Sequence, residues 1–162
     1  MAEHLYIPTT KDRKGIYEAI IPQVEALINQ ETDLIANLAN TTAVLKEAFS
    51  FFWVGFYLVK EAQLVLGPFQ GPLACTRIAF GKGVCGTSYT QQKTLVVPDV
   101  EAFPGHIACS SLTQSEIVVP VWQEKKVVAI LDIDSDQRED FDQVDQLYLE
   151  QIASLLGKTQ KW

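Results

Sequence analysis

Glu116–Asp134 reads EIVVPVWQEKKVVAILDID, two runs of branched apolar residues on either side of a charged turn. Such runs are strands, and a connection this short makes them an antiparallel hairpin. The predicted strands are Glu116–Trp122 and Lys126–Asp134, with the turn at Gln123–Lys125. In the second strand, alternation puts Val128, Ile130, Asp132 and Asp134 on one face and Val127, Ala129, Leu131 and Ile133 on the other. Two carboxylates at the end of an apolar strand are costly to bury without partners, so one reading has the strand fraying into solvent at Asp132. The other reading makes them a site. A register that sets Glu116 opposite Asp134 also sets Val118 opposite Asp132, and gathers three carboxylates on one side of the hairpin. A slip of one residue would send Glu116 to the opposite face. The turn sequence QEKK leaves the register open.

Upstream, Phe51–Lys60 is aromatic and β-branched and reads as a strand, turning at Glu61-Ala62 into a partner over Gln63–Phe69. Glycine–proline pairs at Gly67-Pro68 and Gly71-Pro72 mark loops before a predicted strand Cys75–Phe80. A short helix Val84–Gln91, a strand Thr94–Val97 and a long loop Asp99–Ser115 lead into the hairpin. A loop of that length in a small domain is more often functional than incidental. Helical periodicity marks both ends. From Thr10 to Gln30 the residues Ile16, Ile20, Val24, Leu27 and Ile28 share a face, with Pro22 expected to kink or split the helix. A second helix is expected to start at Thr32 as its cap and to place Leu34, Ile35, Leu38, Leu45 and Phe49 inward. The last helix spans about Asp142–Leu156, with Val144, Leu147, Ile152 and Leu155 inward and Gly157 as its stop. Helices at the ends around consecutive strands predict an α+β fold: a mainly antiparallel sheet of about six strands, the terminal helices on one face and a loop-covered pocket on the other.

The chain has 162 residues, fitting one domain over 1–162, and 48% of them are hydrophobic, enough for a core without disulfide staples. Its longest unbroken apolar run is Val127–Leu131, far short of a membrane span, and no secretory signal is visible at the N-terminus, so a cytoplasmic protein is expected. The net charge of −7 with no basic cluster argues against nucleic acid as a partner.

Three cysteines, Cys75, Cys85 and Cys109, make a disulfide framework a poor reading, and no pair has CxxC spacing. Buried thiols packing as small hydrophobes are the plain alternative to redox chemistry. The acid cluster can hold an amino group, bind a metal or keep one proton as a general acid. Zinc is weakly supported, because no ligand pair has helix or knuckle spacing, and no metal or other cofactor is expected. His106, three residues before Cys109, reads as a loop hydrogen-bonder that can also favour a thiolate. Gly81-Lys82-Gly83 resembles an anion cradle but lacks the spacing of a phosphate-binding loop, so a tight strand-to-helix turn is the better reading. Trp53 and Tyr57 share one face of their strand, as core packing or as the wall of a pocket for a methyl or thioether group.

The segments FFWVGFYLV, LGPFQGPLACTRIAFGKGVCGTSY, VVPDVEAFPGHIACSSLTQSEIVVPV and AILDIDSDQREDFDQVD together resemble the free methionine-(R)-sulfoxide reductases, single-domain proteins of the GAF fold. The resemblance runs through nearly the whole chain. It implies that the Cys109 thiolate attacks the sulfoxide sulfur, that methionine leaves, and that Cys109 becomes a sulfenic acid. A second cysteine then closes a disulfide, which thioredoxin or a similar dithiol reduces. Cys75 and Cys85 both stand for that role, with Cys75 favoured, and a variant assignment makes Cys85 the attacking residue. The resemblance further implies Glu116 as proton donor, Asp132 and Asp134 for the substrate's ammonium group, and Trp53 and Tyr57 around its S-methyl. Backbone N–H groups of Ile107, Ala108 and Ser110 would take the carboxylate. A homodimer through the terminal helices is common among such folds. The rival from another class is a GAF-type sensor of a small ligand or of thiol oxidation.

Overall fold

Asp12 opens the first helix by accepting the N–H groups of Lys14 and Gly15, satisfying donors that have no partner within the helix. The computed structural model describes residues 4–10, 12–107 and 109–162. Helix α1 runs over Arg13–Gln30 without the break expected at Pro22. The proline removes one backbone bond, but Ile16, Tyr17 and Ile20 before it and Val24 and Ile28 after it are buried in one core, and that packing holds both halves in line.

Helix α2, Leu34–Phe49, is capped by Asp33, whose side chain accepts the Ala36 N–H at 2.9 Å, and not by Thr32. The Glu31 carboxylate takes the N–H groups of Thr32 and Asp33, which fixes the entry one residue later. Ile35, expected inside, is 50% exposed, and Asn37, Thr41 and Thr42 are buried in its stead. Their polar atoms are satisfied locally: Thr41 and Thr42 donate to the carbonyls of Asn37 and Ala39, and Asn37 donates to Gln160.

Strands β1 (Trp53–Lys60), β2 (Gln63–Gln70), β3 (Arg77–Ala79), β4 (Leu95–Val97), β5 (Ser115–Gln123) and β6 (Lys126–Ser135) form one antiparallel sheet in the order β3-β2-β1-β6-β5-β4. β3 is shorter than predicted, because Cys75 and Phe80 lie outside the ladder. The hairpin has the register that gathers the carboxylates: Glu116 faces Asp134 and Val118 faces Asp132. A two-residue turn at Glu124-Lys125 closes it, with Glu124 at φ 54°. A bulge between Val121 and Trp122 reverses the expected faces of Val127 and Val128, so Val127 joins the pocket-side core and Val128 the helix side.

Helix α4, Gln143–Thr159, runs through Gly157 instead of stopping there. A Cβ on Gly157 would stand 1.9 Å from the Trp122 carbonyl oxygen, so the glycine permits contact between helix and strand. Leu147, predicted inside, is 54% exposed, and Tyr148 and Leu149 turn inward. Helices α1, α2 and α4 cover one face of the sheet, over Val54, Phe56, Val119, Leu131 and Ile133. The other face carries Trp53, Tyr57, Val118 and Ile130, covered by helix α3 (Gly83–Gln91) and by loops. Arg13 ties the two chain ends, pairing with Asp140 and with fully buried Asp145, which also accepts the Tyr17 hydroxyl. No helix among the described residues is long and apolar enough to cross a membrane.

Candidate active site

Strand pairing alone builds the acidic part of the site. One rung across the sheet aligns Trp53, Asp134 and Glu116, and the rung two residues on, on the same face, aligns Gly55, Asp132 and Val118. All these residues sit on the central strands, where the backbone is most constrained. Glu116 and Asp132 are each 6% exposed, which removes the reading of a frayed strand end; Asp134 is partly exposed. Burial pushes all three carboxyls above their ordinary range. Asp132 rises to about 6, with hydrogen bonds opposing the shift. Glu116 is pushed well above the ordinary glutamate range, by burial first and then by the charges of Asp132 and Asp134. Like charges crowded in a dry place cannot all ionise, so the three carboxyls share fewer than three negative charges.

Helix α3 brings Cys85 over this cluster, its Sγ 3.9 Å from Glu116 Oε1. The turn before it is tight, as expected for Gly81-Lys82-Gly83: the N–H groups of Gly81 and Lys82 are spent on the carbonyls of Gly86 and Ala79. Gly83 takes φ 59°, a conformation that glycine adopts freely. Cys85 is 3% exposed, and burial followed by the charges of Asp132 and Glu116 drives its pKa up, so it stays a thiol.

The other two cysteines are bonded to each other. Cys75 and Cys109 form a disulfide with their Cα atoms 5.3 Å apart, and Cys85 is free. Cys75 is held by the β1 aromatic stripe: the Tyr57 hydroxyl donates to the Cys75 carbonyl at 2.9 Å, and Trp53 Nε1 donates to the Pro72 carbonyl at 3.1 Å. Trp53 stacks between Tyr57 and Phe69, with ring centroids 6.1 and 5.4 Å away. Gly55 makes that stack fit, since a Cβ there would lie 2.4 Å from the Trp53 ring and 2.5 Å from Phe69.

Two small cavities flank Cys109. One of about 30 Å³ lies among Cys85, His106, Ile107, Glu116, Asp132 and Asp134; the other, about 20 Å³, lies among Trp53, Tyr57, Leu73, Asp132 and Asp134. Cys109 and Ser110 line both. Ala108 lies outside the described residues. A wider open groove of about 870 Å³ beside α4 is lined by none of these thiols or clustered acids.

The structure thus brings Cys75, Cys85, Cys109, Glu116, Asp132, Asp134, Trp53, Tyr57, Ile107 and Ser110 to one place. His106, read from sequence as a loop hydrogen-bonder near Cys109, has its Nε2 3.8 Å from Glu116 Oε2, and burial lowers its pKa. Sequence reasoning missed two contributors. Thr113 hydrogen-bonds Asp134 and partly offsets the rise of that carboxyl. Phe69 completes the aromatic wall. Of these two, Phe69 left a signal, an aromatic residue facing β1 across a predicted hairpin.

Comparison with known proteins gives this architecture its class: the GAF domain family model matches residues 29–159. A protein named GAF domain-containing protein A from Dictyostelium discoideum is 58% identical over 96% of this chain and 99% of its own length. The free methionine-R-sulfoxide reductase of Escherichia coli is 44% identical, over 91% of this chain and 90% of its own. The X-ray structure of free methionine-R-sulfoxide reductase from Neisseria meningitidis, in complex with its substrate, superposes with a TM-score of 0.94 at 52% identity, covering 96% of this chain and 94% of that one. Within the GAF class, the chain belongs to the free methionine-R-sulfoxide reductase family of oxidoreductases.

Proposed function

We propose that this protein reduces free methionine-(R)-sulfoxide to methionine at the expense of two thiols. The observation that carries the reading is the Cys75–Cys109 disulfide between an aromatic wall and a cluster of three carboxyls, two of them buried. Cys109 is the attacking residue: it lines both cavities, whereas Cys85 is kept protonated by its surroundings. Its thiolate bonds to the sulfoxide sulfur, and the sulfoxide oxygen takes a proton from Glu116, whose pKa is raised by burial and by the neighbouring carboxylates. Methionine leaves with the electron pair of the S–S bond, the hydroxyl passes to Cys109 as a sulfenic acid, and the Cys75 thiol displaces water from it. Two electrons have then moved from the two sulfurs to the sulfoxide. Thioredoxin or a similar dithiol regenerates the pair.

Asp132 and Asp134 bind the ammonium group, and backbone N–H groups of Ile107, Ala108 and Ser110 bind the carboxylate. Trp53 and Tyr57 enclose the S-methyl. A residue inside a polypeptide has neither free charged end, so specificity for the free amino acid follows. The protein works as one domain, in the cytoplasm, without a resident cofactor. A sensor reading leaves the clustered carboxyls of Glu116, Asp132 and Asp134 without an occupant that needs them.

The test is methionine release from each sulfoxide epimer, with dithiothreitol or thioredoxin as reductant. Consumption of the free R epimer alone, abolished in Cys109→Ser, is the expected result. Turnover of a peptide-bound sulfoxide, or full activity in Cys109→Ser, overturns the assignment.

A further inference from the structure

Cys85, Glu116 and Asp132 each offer one ligand atom, and these atoms lie within 4.8 Å of one another. All three residues are buried. Asp132 Oδ1 is enclosed with no hydrogen-bond partner, alone in this among the described residues, and Asp132 borders the cavity of about 30 Å³ together with Cys85 and Glu116. A carboxylate oxygen in that state is costly to bury, and a cation removes the cost. An ammonium group is one such cation. The sulfur beside it is a donor that an ammonium group barely uses and that a soft metal ion prefers. A fourth donor stands close by: His106 Nε2, 3.8 Å from the second oxygen of Glu116. Thiolate, carboxylate and imidazole together are the ligand types of zinc-like ions. Because these donors come from α3, β5, β6 and the loop before Cys109, spacing along the chain does not disclose the set.

We propose that Cys85, Glu116 and Asp132 form a binding site for one thiophilic divalent cation of the Zn²⁺ and Cd²⁺ class. The ion takes the Cys85 sulfur and one oxygen from each carboxylate, the protons of Cys85 and Glu116 are released to solvent, and His106 can complete the coordination. It sits where the substrate's ammonium group is placed above, so it inhibits. That consequence rests on the reductase reading; the binding does not.

The disulfide form offers a clean experiment, because the chain has three cysteines and only Cys85 is then a thiol. Cd²⁺ added to the oxidised protein is expected to give an ultraviolet sulfur-to-cadmium charge-transfer band saturating at one ion per chain. The band is absent in Cys85→Ser, and Asp132→Asn, near-isosteric, weakens binding by at least about tenfold. If circular dichroism shows that Asp132→Asn fails to fold, Glu116→Gln gives the same readout. No band in the oxidised protein overturns the proposal. So does unchanged affinity in a folded carboxylate variant, which would mean a lone thiol binding without a built site. Turnover does not enter the measurement, so failure of the reductase reading leaves its outcome intact.

Discussion

Adding methionine while the protein equilibrates with a glutathione buffer tests how the pocket and the disulfide are coupled. With Cys75 and Cys109 bonded, the space between acid cluster and aromatic wall is divided into cavities of about 30 and 20 Å³, with Cys109 and Ser110 between them. Each is near the volume of ~1 water molecule, so neither admits an amino acid. A ligand that needs this space binds the dithiol form and is excluded from the disulfide form. A ligand held by one state alone stabilises it by RT ln(1 + [L]/Kd), ~2.7 kcal/mol when its concentration is about a hundred times Kd. For a two-electron couple, in which 30 mV corresponds to about 1.4 kcal/mol, the reduction potential rises by roughly 60 mV. The assay equilibrates the protein at graded ratios of reduced to oxidised glutathione, traps thiols by alkylation and counts them by mass, with and without methionine. A midpoint displaced to more positive potential by about that amount is expected. An unmoved midpoint, with methionine shown to bind the reduced protein, refutes the reasoning that the disulfide closes the pocket.

Replacing Glu116 by glutamine removes the proposed proton donor but keeps its shape; turnover should fall about 10²- to 10⁴-fold while methionine binding, measured by calorimetry, persists. An unchanged rate removes Glu116 as the acid. Asp132→Asn bears on stability, because a carboxyl whose folded pKa is raised from 3.8 to about 6 stabilises the fold below the lower value and loses that contribution as pH rises through the upper one. Relative to the parent, the asparagine variant should therefore gain roughly 2 kcal/mol in urea unfolding between pH 4 and pH 7, and a difference independent of pH would contradict the burial argument. Gly157→Ala would stabilise an ordinary helix, but against the Trp122 carbonyl it should cost ~3 kcal/mol, read as a lower unfolding midpoint in urea. A raised midpoint would show that α4 does not press on β5 as described.

The α+β class, the sheet and the acid cluster were legible because they depend on alternation, a short-range property. Asp132 and Asp134 must share a face, and Glu116 joins them in one of two registers; burial of Val118 and Ile130 on the same side selects the observed one. The bulge at Val121/Trp122 was not legible, since VWQEKKVV carries no glycine to mark it and a single unpaired residue reverses the faces of Val127 and Val128. Gly157 was misread because a helix stop and a close contact call for the same residue, and only the position of β5 separates them. The disulfide partner was open for a similar reason. Both Cys75 and Cys85 precede Cys109 in the chain, and what distinguishes them is that the backbone of Cys75 is anchored by Tyr57 within bonding reach of Cys109, while Cys85 is buried on α3.

Gly55 carries a consequence for reading other chains of this fold. It pairs with Asp132, and its missing side chain is where the Trp53 ring lies down against Phe69. Alanine at that place would collide with the Trp53 ring and with the Phe69 Cβ, so the stack could not keep its present arrangement. A glycine two residues after the tryptophan, across the ladder from the aspartate, is therefore a test that can be applied to a bare sequence. GAF-fold chains that keep it can form this aromatic recess, and those that carry a side chain there must accommodate a ligand of different shape.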